Sequence, residues 1–507
     1  MKKILLFFVA LVAAYCVRAA VEVTSVDVDV TKRLVTVSYT LSGDESKIVL
    51  VEFLLNGEKI EEKYYANVCG DVNKLVEPTI GGETRKIYWQ QDVCWNDKVG
   101  SGKFAARLVV YSKNAPPDYM VYDLVGPTNS IYASIRFYNS TNSLPGGLSD
   151  LVYRKEKMVF RRIPAAGIVW KMGSPENELG RSTDADRENQ HRVRLSDDYY
   201  MAVFETTHGQ SKYLFSSTSY YSKLTDNSLQ KDGDVSYAQG STAFYYLKEP
   251  ETDKAVDHLI IGKLRRHTSI AFDLPTEAQW EFACRAGAGT SLNNNMDIDN
   301  KDTSPRTRSL GWIYYKTGSL AEDGNEYGPR PVGMKLPNAW GLYDMHGNVA
   351  EHCRDAAYRV YPKDGGIYEN PLGTDYNSTD KRVLRGGYFS QGADKCRSAS
   401  RFKEGKHGAY KGFGFRLIAP IPLDGTAAQT TQEESGSVVL ADELGAFATS
   451  GVESGYWDIS ARKARTVVIS QAKESGSVSY DTRRSTQDEG LLALLYRTFG
   501  GFFMFFR

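Results

Sequence analysis

Two carboxylates frame a short turn-forming segment of the chain. Asp344 and Glu351 stand at its ends, and Gly347 and Asn348 between them allow a tight turn. A hard cation such as calcium takes six to eight oxygen ligands, and backbone carbonyls commonly complete the set. By its residues alone, the segment is a candidate loop for a hard cation. The alternative is a loop closed by hydrogen bonds alone, in which Asp344 and Glu351 accept from backbone amides.

Cysteine thiols are the second group that could do chemistry. The cysteines after residue 20 are Cys69, Cys94, Cys284, Cys353 and Cys396. Their odd number leaves at least one free thiol. We expect Cys69 to pair with Cys94 and Cys284 to pair with Cys396. Cys353 would then be a small buried apolar residue.

The histidines form no recognisable metal motif. His346 and His352 are six residues apart, a spacing that no common zinc motif uses. His352 beside Cys353 suggests a base next to its nucleophile, but adjacent residues of a strand point in opposite directions. We therefore expect neither a zinc site nor a nucleophilic pair. The acidic run 184–188 is interpreted as a solvated loop.

The balance of charged residues and the first 19 residues indicate to which class of protein this chain belongs. Lys and Arg total 62 and Asp and Glu also total 62, so no basic excess indicates nucleic-acid binding. Lys2 and Lys3 precede an apolar run at 4–16 that is shorter than the roughly 20 residues needed to span a bilayer. Residues 1–19 are therefore predicted to be a signal peptide, and the protein is predicted to be secreted, periplasmic or on the cell surface.

The sequence of residues 20–130 predicts β-strands. Alternation of apolar and polar residues at 21–30 and 34–39, a hairpin signal at Asn56-Gly57 and later apolar runs at 86–89 and 104–111 predict an all-β sandwich over 20–130. Its expected type is immunoglobulin-like or fibronectin-like, acting as a binding module or a spacer. A polar, turn-rich linker is predicted over 131–150.

The remaining two segments differ in composition. Residues 151–420 contain many loops and one clear helix signal at 274–285, where Pro275 and Thr276 suit the start and Gly287 the end. Residues 421–507 are rich in Ser, Gly, Thr, Ala and Glu, repeat ESGSV, and end in FFMFFR. We interpret them as a low-complexity or small β region. Three interpretations of this tail stay open: a membrane or surface contact, a strand buried against a neighbour, and a disordered end.

Four segments in order carry a family resemblance. They are RRIPAAG at 161–167 with KMGS at 171–174, the stretch 189–207 ending in VFETT, the helix start LPTE at 274–277, and GLYDMHGNVAE at 341–351 followed by RGG at 385–387 and GFR at 414–416. Together they span about half the chain. This part resembles the formylglycine-generating, sulfatase-modifying family and its bacterial relatives. The resemblance implies an α+β, C-type-lectin-like central domain of small sheets and many loops.

The resemblance also assigns metal ligands. In the family, a calcium ion is held by equivalents of the Asp344 and Glu351 side chains and of the Gly347 and Val349 carbonyls. A second family calcium site uses a side chain near Leu310, which cannot serve here, although Asp323 could help to hold an ion.

The family's enzymes oxidise a substrate cysteine at a copper(I) ion held by two thiolates, which are the soft ligands that this ion prefers. The family positions for that pair correspond to Gln391 and Cys396, counted from Gly386. One thiolate is therefore missing. Tyr388 and Ala350 also replace the serine and the tryptophan of the enzymes, so we expect no copper and no oxidase activity.

The resemblance leaves three functions to compare. The first is a non-catalytic module that binds a peptide, protein or glycan, because in binding members of the family the residues after the two glycines form the ligand surface. The corresponding residues are Tyr388, Phe389, Ser390, Gln391 and Asp394. The second is formylglycine generation on exported sulfatases, and the third is a scaffold in an extracellular assembly.

Overall fold

The architecture is taken from a computed structural model. It describes residues 21–29, 33–91, 103–125, 135–182, 187–214, 247, 259–268, 270–314, 328–356, 361–373, 381–405, 410–421 and 423. All of these belong to one compact unit. The predicted signal peptide, Cys94, Asp323 and nearly all of 421–507 lie outside the described residues. Within the described part, no helix has the length and apolar character to cross a membrane.

The N-terminal module, residues 21–111, consists of two antiparallel sheets around one core. Its strands are β1 (Val21–Asp29), β2 (Leu34–Leu41), β3 (Lys47–Leu55), β4 (Glu58–Lys59), β5 (Cys69–Gly70), β6 (Lys74–Val76), β7 (Arg85–Gln90) and β8 (Phe104–Tyr111). One sheet has the order β1-β2-β7-β5. The other has the order β4-β3-β6, with β8 also paired to β3.

Local sequence explains these strands. Along β2 every second side chain is buried, because alternate residues of a strand point to opposite faces. Asn56 and Gly57 both have positive φ, at 55° and 88°, as the two-residue turn between β3 and β4 requires. The strand and hairpin predictions for this module are confirmed at these positions.

The central module, residues 119–421, contains three sheets and short helices. Its strands are β9 (Tyr119–Asp123), β10 (Ile135–Tyr138), β11 (Lys157–Ile163), β12 (Val169–Met172), β13 (His191–Arg194), β14 (Tyr199–Ala202), β15 (Ala350–His352), β16 (Ile367–Glu369), β17 (Lys381–Arg385), β18 (Arg401–Gly405), β19 (Phe413–Gly414) and β20 (Ile418–Pro420). Its helices are α1 (Val152–Lys155), α2 (His208–Leu214), α3 (Ile260–Thr268), α4 (Glu277–Arg285) and α5 (Pro305–Arg308). The sheet orders are β10-β9-β11-β14-β20, β12-β13-β16 and β18-β17-β15-β19.

Helix α4 ends at Arg285 as predicted but begins at Glu277, so Pro275 precedes the helix. Thr276 is the N-cap: its side-chain oxygen accepts from the Gln279 backbone amide, and the Gln279 Oε1 accepts from the Thr276 backbone amide. Ala286 then has left-handed φ, and Gly287 also has positive φ, so the helix ends there.

Part of the segment predicted to be a linker, 131–150, forms a β-strand in the structure. Residues 135–138 form β10, which pairs with β9 at the edge of the largest sheet of the central module. Ile135 and Phe137 are buried in that module's main core. The linker interpretation missed the alternation of these two apolar residues, because a run of polar residues follows them in the sequence.

The two modules share an apolar boundary at β3. Val49, Val51 and Phe53 lie in the core of the N-terminal module. Ile48 and Leu50, on the opposite face of β3, lie in the main core of the central module. One strand therefore contributes to both cores.

Candidate functional site

The turn that was predicted to bind calcium lies between α4 and the sheet of β15. Asp344 and Asn348 have φ near +57°, and Gly347 has φ +97°. A Cβ atom on Gly347 would come within 2.1 Å of the Trp312 carbonyl oxygen, so this position needs glycine. The turn leads directly into β15, which holds Glu351 between β17 and β19.

Glu351 is buried in an ion pair. The guanidinium of Arg416 donates to both carboxylate oxygens at 2.8 to 3.1 Å, and the Trp280 indole N–H donates at 2.7 Å. Arg416 also donates to the carbonyl oxygens of Ala202, Val203 and Tyr343. Arg416 thereby ties Glu351 to the end of β14.

Asp344 is buried with half of its carboxylate engaged. Its Oδ2 accepts from the Gly333 amide at 2.7 Å. Its Oδ1 has no hydrogen-bond partner among the described residues. Burial raises the pKa of Asp344 to about 6, and the Gly333 amide partly opposes that shift. An acceptor oxygen in this state suits a cation.

A third carboxylate, Glu205, completes the cluster and was not predicted. It accepts from the Val349 amide at 3.1 Å and from the Asn348 side-chain amide at 2.5 Å. Burial raises its pKa well above the ordinary value, and the charges of Asp344 and Glu351 add to that shift. Glu205 lies in VFETT and Arg416 in GFR, so the motif segments contained both residues without indicating that they meet.

Glu205 lies near both Asp344 and Glu351, and the cluster has more acid than base. Three carboxylates face one guanidinium, that of Arg416. Among the described residues, no three His, Cys, Asp or Glu side chains form a metal-binding group. A calcium ion here would therefore depend on backbone carbonyls together with Asp344 and Glu351, as the sequence predicts. The calcium assignment stays a prediction.

The two residues at the predicted copper positions differ in environment. Cys396 is fully buried in a cluster with Leu292 and Ile298. A Cβ atom on Gly387 would lie 2.4 Å from its Sγ, so the thiol packs directly beneath the glycine pair. Burial raises the pKa of Cys396 far above its ordinary value. Gln391 is half-buried, and its carbonyl accepts from the Tyr314 amide at 2.8 Å.

The expected pairing of Cys284 with Cys396 is corrected by the structure, in which both are free thiols. The His346 ring contacts both residues: Nδ1 lies 2.7 Å from the Cys396 carbonyl oxygen, and Nε2 lies 4.0 Å from the Cys284 Sγ. Cys353 is a buried thiol, as expected. Cys69 is an exposed free thiol, and its predicted partner Cys94 lies outside the described residues.

The predicted ligand surface divides into half-buried residues and one buried residue. Tyr388, Ser390, Gln391 and Asp394 are half-buried, whereas Phe389 is 3% exposed and belongs to the interior. The structure adds neighbours that the sequence did not suggest. Around Tyr388 lie the rings of Phe402, Tyr410 and Phe413, at centroid distances of 5.4 to 6.3 Å. Tyr388, Phe402, Tyr410 and Phe413 are called the aromatic patch below.

A buried ion cluster fixes the loop that carries this surface. Arg397 donates to Glu178 and, at 2.9 and 3.0 Å, to Glu188. Glu188 is 3% exposed, so the prediction of a solvated loop was wrong at this residue. Its buried partner lies 209 positions away in sequence, which hid the pairing.

The chain is similar in sequence and in structure to several known proteins. The model of the sulfatase-modifying factor enzyme 1-like domain matches residues 165–421. The formylglycine-generating enzyme of Bos taurus is 25% identical over 334 residues, which are 59% of this chain and 84% of the bovine protein. The inactive C-alpha-formylglycine-generating enzyme 2 of Mus musculus is 32% identical over 152 residues, 29% of this chain and 42% of that protein. The structure of PvdO from Pseudomonas aeruginosa aligns with a TM-score of 0.38 at 20% identity, covering 52% of this chain and 94% of PvdO.

Proposed function

We propose that this chain, which belongs to the sulfatase-modifying factor enzyme 1-like family, is exported and non-catalytic. In this proposal it binds a ligand and contains a structural calcium ion. Family membership covers residues 165–421. Because one fold can support many functions, the proposal depends on this chain's own residues.

The observation that carries the proposal is the state of Cys396. A copper(I) site needs thiolates, and this thiol is fully buried, its pKa is raised by burial, and it packs against Gly387. Gln391, at the other position, supplies an amide. These residues do not fit a copper ion, so no oxidation step is derived for this site.

The aromatic patch supports ligand binding. Tyr410 is 40% exposed, and Tyr388 and Phe402 are half-buried beside it. Ser390 and Gln391, which follow Tyr388 in the same loop, add a hydroxyl and an amide to this surface and are half-buried. Rigid rings next to hydroxyl and amide groups suit contacts with a peptide, a protein loop or a glycan. The ligand would contact Tyr388, Tyr410, Ser390, Gln391 and Asp394, with Phe389 supporting them from below.

The acidic cluster is the observation that supports the proposed calcium ion. Asp344 and Glu351 would supply side-chain oxygens, and Gly347 and Val349 would supply carbonyl oxygens. The unpartnered Asp344 Oδ1 is the atom that such an ion would satisfy. The ion would stabilise the turn and perform no chemistry.

The cellular location and the type of each module are proposed from the sequence. Residues 1–19 are proposed to be a signal peptide that exports the protein to the periplasm, the cell surface or the medium. The central module is proposed to be C-type-lectin-like, and the N-terminal module to be immunoglobulin-like or fibronectin-like.

The second candidate is a formylglycine-generating oxidase that acts on exported sulfatases. The similarity to the bovine enzyme over 334 residues favours it. The match to a mouse protein named as inactive favours the non-catalytic alternative.

Copper(I) titration of the full chain after removal of the leader separates the two candidates. The non-catalytic proposal expects no tight stoichiometric binding and no conversion of a peptide that carries a sulfatase cysteine motif. Cys396→Ser is the matched variant. Tight binding that Cys396→Ser abolishes, or conversion of the peptide by the wild-type chain, would establish the oxidase instead.

A further inference from the structure

A small cavity lies at the boundary between the N-terminal and central modules. Its free volume is about 20 Å³. Glu62, Tyr65 and Asn73 line it from the N-terminal module, and Tyr138 and Asn139 line it from the central module. The cavity is thus formed only when the two modules are in contact.

The Tyr65 hydroxyl is the unusual group at this cavity. Tyr65 is 4% exposed, and its ring packs against Phe53 and Trp89 at centroid distances of 5.3 and 6.0 Å. Its hydroxyl has no hydrogen-bond partner among the described residues. Leaving a buried hydroxyl unsatisfied is destabilising, because the group loses its hydrogen bonds to water and gains none in the protein.

An acceptor of strong character lines the same cavity. The Glu62 carboxylate accepts from the Ser140 hydroxyl at 2.6 Å and from Lys59 at 3.2 Å. A carboxylate has about four acceptor positions, so it can take a further hydrogen bond. Burial raises the pKa of Tyr65, and the nearby charge of Glu62 adds to that shift. The hydroxyl is therefore a donor next to an anion.

We propose that this cavity is a binding site for one ordered water molecule that joins Tyr65 to Glu62. The volume fits a single water, which needs a space of roughly 10 to 15 Å³ and two to four polar partners. The water accepts a hydrogen bond from Tyr65 and donates one to the Glu62 carboxylate. Asn73 and Asn139 offer further partners, one from each module.

The water belongs to a polar seam between the modules. Ser140 of the central module donates to Glu62, the Tyr111 hydroxyl donates to Asn139, and the Phe137 amide donates to the Asn73 carbonyl at 2.9 Å. The seam surrounds the apolar contacts of β3. The bound water would complete it at the one buried hydroxyl of the cavity lining that lacks a direct partner.

Tyr65→Phe tests the water site because the two alternatives predict opposite signs. If the hydroxyl binds water, removing it should lower the melting temperature of the full chain by about 2 °C. If the hydroxyl is unsatisfied, the same change should leave the melting temperature unchanged or raise it, and the proposal fails.

Tyr153→Phe calibrates the loss. Tyr153 is 1% exposed, and its hydroxyl donates to the Pro145 carbonyl at 2.9 Å, so this variant removes a satisfied bond of known geometry. The melting temperatures of Tyr65→Phe and Tyr153→Phe should fall by similar amounts.

A crystal structure of the wild-type chain gives the second readout. We expect electron density for one water about 3 Å from the Tyr65 hydroxyl oxygen, and its loss or displacement in Tyr65→Phe. A dry cavity, or a hydroxyl that reaches a protein acceptor directly, would overturn the assignment even if the melting temperature falls.

Discussion

The buried carboxylates determine how this protein responds to ions and to pH. Burial raises the pKa values of Asp344 and Glu205, and the charge of Glu351 adds to both shifts. The charge of Asp344 also raises the pKa of Glu205, and Arg416 neutralises Glu351. Such a cluster is destabilised when all of its members are ionised without a further cation. Calcium and protons should therefore relieve the same repulsion.

Calcium should raise the melting temperature of the wild-type chain, and a chelator should lower it. At a hundredfold excess over Kd, a ligand bound only by the folded state adds about 2.7 kcal/mol of stability. Asp344→Ala should remove most of the calcium-dependent shift, measured by differential scanning fluorimetry with calcium and with chelator.

The control for the calcium experiment is Asp364→Asn, a change at an exposed carboxylate 20 residues after Asp344. It should retain the wild-type shift. Equal melting temperatures of the wild-type chain in calcium and in chelator would exclude the calcium site.

Asp355 provides a pH dependence that is separate from the calcium turn. It accepts from the Glu277 amide at 2.7 Å and from the Gly373 amide at 2.8 Å. Burial raises its pKa to about 6, with the charge of Glu277 adding to the shift. Because the folded pKa is above the ordinary value near 3.9, Asp355 stabilises the fold at low pH, and this contribution is lost as pH rises through 6.

Asp355→Asn should remove that contribution. Between pH 7.5 and pH 5 the wild-type chain should gain about 1.4 kcal/mol relative to the variant, in urea unfolding at the two pH values. Asp150→Asn, at an exposed carboxylate, is the matched control and should follow the wild type. A constant difference between wild type and Asp355→Asn would contradict the assignment.

At the scale of elements, β3 has an unusual position because both of its faces are buried. Leu50 faces the core of the central module, whereas Val51 faces the core of the N-terminal module. A strand buried on both faces has no polar face. The sequence KIVLVEFLL, with only one charged residue inside the strand, reflects this environment.

Leu50→Ala should destabilise the chain by about 2 to 5 kcal/mol, because it removes buried methyl groups and leaves a cavity in the central core. Leu54→Ala on the same strand is the matched control, because Leu54 is only half-buried. It should cost clearly less. Urea unfolding measures both, and equal costs would contradict the two-sided burial of β3.

For the whole molecule, the shared core predicts that the two modules unfold together. The N-terminal module would then act as a rigid part of the central module and would not swing on a linker. This follows from the packing of Ile48 and Leu50 and from the placement of β10 within the central sheet.

Hydrogen exchange in increasing urea tests this cooperativity. Amides of β2, in the N-terminal module, and of α4, in the central module, should lose protection at the same urea concentration. Leu50→Ala should shift both to lower urea by the same amount. Earlier loss of protection in β2 alone would show that the N-terminal module is an independent folding unit.

The sequence by itself determined the features that depend on neighbours along the chain. Period-two alternation located β1 and β2, Asn56-Gly57 located a hairpin, and Thr276 located the start of α4. The ordered motifs identified the family, because each contains residues that the fold needs at fixed spacing.

Tertiary structure decided which distant residues meet. Glu205 joined Asp344, Arg397 buried Glu188, and Cys396 was packed beneath Gly387 and separate from Cys284. Glu205 and Asp344 are 139 positions apart, and Arg397 and Glu188 are 209 positions apart. The energy of these contacts comes from burial and charge in three dimensions. Sequence patterns report local geometry, and they do not report the desolvation that makes one carboxylate a partner and another a solvated side chain.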